Sequence, residues 1–187
     1  MPKKLLCCGI LHNEIEHIMR EKNVEIRYLD PGLHVDLDKL AEAVTTGLDA
    51  LGERNAPIIL GTQCHPEVEQ LVAGRGGRLP RFKNCIEMLL GDKLAELDAE
   101  GRNFYLSSGW LENWRKIFVE GLHWDEIDAR QNFGYYDRIL LLDSGITPID
   151  DEKIIEFFDY TQVLVEILPV DLEHLRNEVE KLMREDE

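Results

Sequence analysis

Short apolar runs of β-type composition alternate with helical patterns along almost the whole chain. The runs predict strands over residues 5–10, 24–29, 57–60, 77–79, 103–106, 138–143 and 161–168. Helical patterns lie between them, near residues 12–21, 36–52, 66–73, 84–99, 110–121, 150–159 and 171–185. Strands joined by helices run parallel and are covered on both faces. The pattern therefore predicts one α/β domain over residues 1–187, with a mostly parallel sheet of about six or seven strands and helices on both faces.

The charge of the chain limits its partners. The 187 residues carry a formal net charge of −16, which argues against a nucleic acid or an anionic membrane as partner. Residues 151–187 hold 12 acidic against 4 basic side chains and supply half of that excess. This segment is interpreted either as the solvated faces of late helices or as an acidic docking surface.

The start of the chain predicts a cytoplasmic protein. Its first apolar stretch ends at Leu11 and is followed by His12, Asn13 and Glu14, which is too short and too polar for a signal peptide. No run of about 18 apolar residues is present, so no membrane-spanning helix is predicted. The four cysteines of such a chain are expected to be reduced rather than paired in disulfides.

Three cysteines follow predicted strands or begin a predicted helix. Cys8 ends the first strand, Cys64 follows the third, and Cys85 opens the helix after Leu79. Ligands of parallel α/β sheets bind beyond the carboxyl ends of the strands, so these thiols are expected to converge there. A helix N-terminus favours the thiolate, which predicts lowered pKa values. Cys7 alternates with Cys8 along the strand and is expected to be buried on the other side.

Three converging thiolates suit a soft or borderline metal ion. They predict a zinc site with three thiolate ligands. The fourth position is either open or filled by a histidine, for which His34 and His65 are the candidates. An iron–sulfur cluster with one open iron is the alternative cofactor, serving electron transfer or activation. A third interpretation is a non-catalytic acidic binding module with core cysteines, because single cysteines are often buried and none here forms a CxxC pair.

A second candidate site follows the strand at 103–106. Ser107, Ser108 and Gly109 connect this strand to a helix through small residues, so their amides are candidates to bind an anion or a cofactor group. A tight turn with Trp110 in the core is the other interpretation. The chain has no nucleotide-binding or serine-hydrolase motif of the usual kinds.

An ordered set of motifs carries a family resemblance. It consists of Cys8-Gly9 before a glutamate-bearing helix, Leu33-His34, Cys64, Pro80-Arg81 with Cys85, Tyr105-Leu106-Ser107-Ser108-Gly109-Trp110, and Asp143-Ser144-Gly145. Over roughly residues 5–160 the chain resembles a family of cysteine-containing α/β proteins of methanogens and other anaerobes. Genes of that family often lie beside corrinoid methyltransferase systems.

The resemblance implies a metal- or corrinoid-related role in one-carbon metabolism, as a methyltransferase or as its accessory protein. Cys8, Cys64 and Cys85 are the matching positions. A corrinoid protein or methyltransferase subunit would be the protein partner, and a thiol or methyl donor the small-molecule partner. The chain departs from the family pattern in two places. The family has a glycine-rich stretch around the middle cysteine, whereas this chain has Gly61-Thr62-Gln63-Cys64-His65-Pro66. The family also has a histidine–aspartate pair before the last cysteine, where this chain has Lys83-Asn84, so His65 is a candidate to compensate for the lost histidine.

Overall fold

The strands form two parallel sheets in the part of the chain that the computed structural model describes, residues 2–184. The strands are Lys3–Cys8 (β1), Val24–Leu29 (β2), Ile58–Ile59 (β3), Asn103–Ser107 (β4), Arg138–Asp143 (β5) and Val165–Pro169 (β6). One sheet has the order β2-β1-β3 and the other β4-β5-β6, and all pairings are parallel. The parallel α/β class is confirmed, whereas the strands divide into two sheets of three instead of one larger sheet.

The first sheet ends at the short strand β3. Ile58 and Ile59 pair with β1, but the expected strand at 77–79 is reduced to a single bridge between Pro57 and Arg78. The alternation of strands and helices predicts that the strands are parallel. It does not specify which strands are neighbours, and this is why the division into two sheets was missed.

Helices surround both sheets. They are His12–Met19 (α1), Leu37–Leu51 (α2), Val68–Ala73 (α3), Cys85–Leu90 (α4), Lys93–Glu100 (α5), Ser108–Glu112 (α6), Glu126–Phe133 (α7), Asp151–Thr161 (α8) and Glu173–Arg184 (α9). Turns of 3-10 helix, Gly9–Leu11 and Pro31–Val35, follow β1 and β2, and a π-helical segment, Arg115–Gly121, follows α6. Between residues 2 and 184 no helix combines the length and the apolar character needed to cross a membrane.

Two element boundaries differ from the predictions because single residues adopt positive φ angles. The helix expected over 84–99 is interrupted at Gly91, where φ is 54°. The strand expected over 161–168 begins later, because α8 continues to Thr161 and ends at Gln162 with φ of 56°. Left-handed conformations end a helix, and for a non-glycine residue they are hard to foresee from sequence.

Helix α7 was not predicted. Only Ala129 and Phe133 are buried on it, so its sequence has no apolar stripe with helical spacing. Its start is defined instead by a capping box. The Asp125 side chain accepts a hydrogen bond from the Asp128 backbone amide, and the Asp128 side chain accepts one from the Asp125 backbone amide. The capping box and the contact of Phe133 with the core therefore take the place of the missing stripe.

The two sheets share one hydrophobic core. Fully buried residues from both sheets belong to a single cluster, among them Leu6 of β1, Ile58 of β3, Leu106 of β4 and Leu141 of β5. Aromatic rings form a compact group on the second sheet, where Phe133 lies 5.2 Å from Phe118 and 5.5 Å from Phe157 between ring centroids. Edge-to-face ring packing of this kind adds to the stabilisation from burial.

We expect Phe133→Ala to lower the free energy of unfolding by about 3–5 kcal/mol, because it removes a ring that is 2% exposed and leaves a cavity among aromatic neighbours. Urea unfolding followed by circular dichroism measures this change. The matched control is Ile127→Ala on the same helix, where the side chain is 64% exposed and a change within about 0.5 kcal/mol is expected. Equal effects of the two substitutions would contradict the position assigned to α7.

Candidate metal site and adjoining carboxylate

Cys8 and His34 meet beyond the carboxyl ends of β1 and β2. Cys8 is the last residue of β1, and His34 lies in the 3-10 turn after β2. Asp30 caps that turn by accepting a hydrogen bond from the Gly32 amide at 2.7 Å. The turn brings His34 Nε2 to 3.6 Å from Cys8 Sγ. Parallel pairing of β1 with β2 thus brings together two residues that are 26 positions apart.

The second ring nitrogen of His34 determines what the first can do. Nδ1 lies 3.0 Å from the carbonyl oxygen of Pro31. A carbonyl oxygen only accepts, so Nδ1 carries the proton and the lone pair of Nε2 is directed at Cys8. Burial also lowers the pKa of His34, which keeps the ring neutral. Metal-bound histidines have this arrangement, with one nitrogen free and the other donating to a carbonyl.

A backbone clamp brings Cys64 towards Cys85. The amide of Thr62 donates to the Phe82 carbonyl at 2.7 Å, and that of Gln63 to the Lys83 carbonyl at 2.9 Å. Only glycine fits at position 61, because a Cβ atom there would lie 2.3 Å from the Lys83 oxygen. The loop after β3, which carries Cys64, is therefore held directly against the segment that leads into Cys85.

Trp110 was not expected to belong to the site. Its ring packs edge-on against His34 with the centroids 5.5 Å apart. Burial raises the pKa of the Cys85 thiol, and the nearby Trp110 side chain opposes this effect. Trp110 was interpreted only as a core residue behind a turn. Its position at the start of a helix gave no sign that this helix start would reach across to the first sheet.

The prediction of lowered thiol pKa values is wrong. Burial is the largest effect on all three thiols, and it raises the pKa of Cys8 and Cys64 and raises that of Cys85 to about 12. The negative charge of the Cys85 thiolate also raises the pKa of Cys8, and that of Cys64 raises the pKa of Cys85. For Cys85, the cost of removing the thiolate from water outweighs the stabilisation that a helix N-terminus gives it, since α4 has only six residues.

The donor set fits a metal ion in part. Two ligands of one tetrahedral zinc ion lie roughly 3.5 Å apart, given Zn–S of about 2.3 Å and Zn–N of about 2.0 Å, and Cys8 and His34 have this separation. Cys85 lies near enough to Cys8 for its charge to raise the pKa of Cys8, and Cys64 lies near enough to Cys85 for its charge to raise the pKa of Cys85. Within residues 2–184, however, no three His, Cys, Asp or Glu side chains lie close enough together to hold a metal ion.

His65 and Cys7 have other contacts. Nδ1 of His65 accepts a hydrogen bond from the Glu67 amide at 3.0 Å, so the proton of the neutral ring is on Nε2. Neither ring nitrogen therefore offers a free lone pair to a metal ion. The His65 ring therefore supports the start of α3 in this tautomer. Cys7 is fully buried, as expected, and its thiol donates to the Cys8 carbonyl at 3.4 Å.

Ser107, Ser108 and Gly109 bind neighbouring parts of the protein. The Ser107 hydroxyl accepts the Trp110 amide at 3.4 Å, and the Ser108 hydroxyl donates to Glu14 Oε1 at 3.0 Å. A Cβ atom at position 109 would lie 2.0 Å from the Ile10 carbonyl oxygen, so glycine is required for close packing. The three residues attach α6 to the start of α1.

The burial of Glu14 was not expected from the sequence either. Glu14 is 1% exposed, and its Oε2 atom has no hydrogen-bond partner in the part of the chain that the structure describes. Burial is the main cause that raises its pKa, and the Ser108 hydroxyl opposes this. A glutamate in the first turn of a helix is ordinarily solvated. Nothing in the local sequence predicts that a second sheet covers it.

The exposure of the thiols predicts the order in which they react. In the metal-free, reduced protein we expect iodoacetamide to label Cys64 first, because the other three thiols are buried. The pKa of all four thiols is raised, which lowers the thiolate fraction at pH 8 and slows their labelling. Peptide mass spectrometry after timed quenching gives the order, and the unfolded protein, in which all four should react alike, is the control. Faster labelling of Cys8 or Cys85 than of Cys64 would contradict the described burial.

Comparison with known proteins places the chain in a family. No curated protein matches the sequence, and no solved structure matches it. A family match covers residues 28–179, a span that includes His34, Cys64 and Cys85 and begins after Cys8 and Glu14. The match extends over more than half of the chain, and the chain belongs to the family described as "Protein of unknown function (DUF1638)".

Proposed function

We propose that this protein is a metal–thiolate protein that holds zinc through Cys8 and His34, with Cys64 and Cys85 drawn in when the metal binds. The observation that carries the proposal is the pair formed by Cys8 and His34, with Sγ and Nε2 3.6 Å apart and Nδ1 of the same ring bound to the Pro31 carbonyl. Thiolate and imidazole are donors that suit zinc. The remaining two cysteines come from adjoining loops of the same sheet edge.

The alternative of core cysteines accounts for the burial of Cys8 at 3% and Cys85 at 7% exposure. In that alternative the Cys8 thiol donates a hydrogen bond to Nε2 of the half-buried His34 ring. In the metal proposal the ion replaces the thiol proton, and Cys8 and His34 both bind it. A bound cation would also offset the repulsion between ionised thiols that contributes to the raised pKa values of Cys8 and Cys85.

We further propose that the site acts in, or beside, methyl transfer between a corrinoid and a thiol. This step rests on the resemblance of the chain's ordered motifs to those of a family often encoded beside corrinoid methyltransferase systems. A thiol substrate that takes the place of Cys64 on a bound zinc ion would have its pKa lowered and would be kept as a nucleophilic thiolate. Cys64 is the most exposed of the three cysteine donors, so its side of the site is the proposed entry for the substrate.

Cobalt(II) titration of metal-free, reduced protein under exclusion of oxygen tests the metal site. We expect thiolate-to-cobalt charge-transfer absorbance that saturates at about one ion per chain and is displaced by zinc. Cys8→Ala and His34→Gln should each weaken binding by at least about tenfold. Cys7→Ala is the matched control, because it removes a buried thiol from the same strand on the opposite side and should leave the affinity unchanged.

The same protein separates the alternatives. Iron and sulfide in the protein as purified, with visible absorbance that Cys85→Ser abolishes, would replace zinc by an iron–sulfur cluster. Absence of binding for zinc, cobalt and iron would refute both metal hypotheses. It would leave the acidic binding module with core cysteines, for which Cys→Ser substitutions change stability but not partner binding.

Methyl transfer is tested with methylcob(III)alamin and 3-mercaptopropionate. In the proposed reaction the cobalt–carbon bond breaks and a sulfur–carbon bond forms, cobalt keeps the electron pair as cob(I)alamin, and the thiol proton passes to solvent. We expect zinc-loaded protein to produce cob(I)alamin and the S-methyl product in equal amounts, and Cys8→Ala protein to produce neither above background. Full zinc binding without methyl transfer, also with corrinoid bound to its carrier protein, would refute the methyl-transfer role and leave the metal site intact.

A further inference from the structure

The turn that carries His34 is held by a segment from the other half of the chain. Lys116 lies in the π-helical segment Arg115–Gly121, and its ammonium group donates to Asp30 Oδ2 at 2.5 Å. The other oxygen of that carboxylate accepts a hydrogen bond from the Gly32 amide at 2.7 Å. Asp30 thus connects the Lys116 side chain, 86 positions further along the chain, to the backbone of the turn.

Both ends of the turn contact the π-helical segment. At the start of the turn, a Cβ atom on Gly32 would lie 3.0 Å from Lys116 Cε, so the alkyl chain of the lysine crosses directly over the backbone. At the end of the turn, a Cβ atom on Gly121 would lie 2.4 Å from Val35 Cγ2, so the two segments are in close contact there as well. His34 lies between these contacts, and the segment therefore holds the turn on both sides of it.

The π-helical geometry explains how one segment reaches both ends of the turn. Its hydrogen bonds span five residues, as from the Leu122 amide to the Ile117 carbonyl at 3.0 Å. Residues five apart, such as Lys116 and Gly121, therefore lie on nearly the same side of the segment. In an α-helix five residues would exceed one turn by about 0.4 turn, and the two side chains would point in different directions. Short π-helical segments are rare and occur frequently at functional sites.

We propose that Lys116 is a positioning residue of the metal site, a role that rests on the proposed metal function. Through Asp30 it fixes the turn in which Nδ1 of His34 donates to the Pro31 carbonyl. Nε2 of the same ring is thereby kept directed at Cys8. A half-exposed ion pair such as that of Lys116 and Asp30 adds little to stability by itself. Its effect is on the orientation of one ring, and metal affinity is sensitive to the groups that orient a ligand.

The direction of the effect on cobalt(II) affinity separates positioning from a simple effect of charge. Removal of a positive charge near a bound cation would by itself strengthen metal binding, whereas loss of positioning weakens it. We expect Lys116→Met, which keeps an alkyl chain over Gly32, to weaken cobalt(II) binding about threefold to tenfold, less than the loss typical of a direct partner of a metal ligand. Lys116→Arg keeps the charge and should recover most of the affinity. Equal or tighter binding by Lys116→Met would overturn the proposal.

Two comparisons show whether the effect passes through His34. Arg115→Met is the matched control, because it removes one positive charge from the same segment, from a side chain that pairs with Glu156, and its cobalt(II) affinity should match that of the unaltered chain. In His34→Gln protein, Lys116→Met should cause no further loss, because the group that it positions is absent. An equal loss in both backgrounds, or an equal loss in Arg115→Met, would indicate a general effect on the fold and would contradict the positioning role.

A measurement without metal separates failure of the positioning role from failure of the proposed function. At about pH 8, where the ring is neutral, ¹⁵N NMR of His34 in the metal-free, unaltered chain should show one tautomer, with the proton on Nδ1. Lys116→Met should show a mixture of both tautomers, because the turn no longer holds Nδ1 at the Pro31 carbonyl. That mixture, in a protein that binds no metal, would refute the proposed function and still support the positioning of His34. One unchanged tautomer in Lys116→Met would overturn the positioning role, even in protein that binds zinc.

Discussion

The close contact between Gly109 and the Ile10 carbonyl is the constraint on which both candidate sites depend. A Cβ atom at position 109 would lie 2.0 Å from that oxygen, so the backbones touch directly. Ile10 follows β1 of the first sheet and Gly109 follows β4 of the second, which joins the carboxyl ends of the two sheets. On either side of this contact, Ser108 reaches Glu14 and Trp110 reaches His34. The second sheet thereby completes pockets that begin on the first.

Burial of acidic groups at this junction favours a bound cation. The thiols and Glu14 are removed from water, and their charges raise one another's pKa values, as those of Glu14 and Cys64 do for Cys85. The chain as a whole carries 21 basic side chains against 37 acidic ones. Keeping the buried groups protonated is one solution, and binding a cation is the other. A metal ion suits the sulfur-rich side.

Sequence patterns predict a contact correctly where a single strand and its following loop decide the outcome. Cys8 and His34 were expected near each other because parallel strands end at the same edge, and this is where they lie. The thiol pKa of Cys85 is different, because it depends on desolvation, and burial cannot be read from a helix start. His65 adjoins Cys64 in sequence, yet its ring accepts the Glu67 amide, since side-chain direction depends on the local turn.

By itself the sequence determined the parallel α/β class, most of the helices and strands, and the placement of Cys8 and Cys64 at strand ends and of Cys85 at a helix start. These follow from hydrophobic periodicity, which is local. Only the tertiary structure decided that the strands form two sheets, that Trp110 reaches the first sheet, and that Glu14 is buried with an unpaired oxygen. Each of these depends on which distant backbones approach closely enough to exclude water, as at Gly109 and Ile10, and no local pattern encodes that distance.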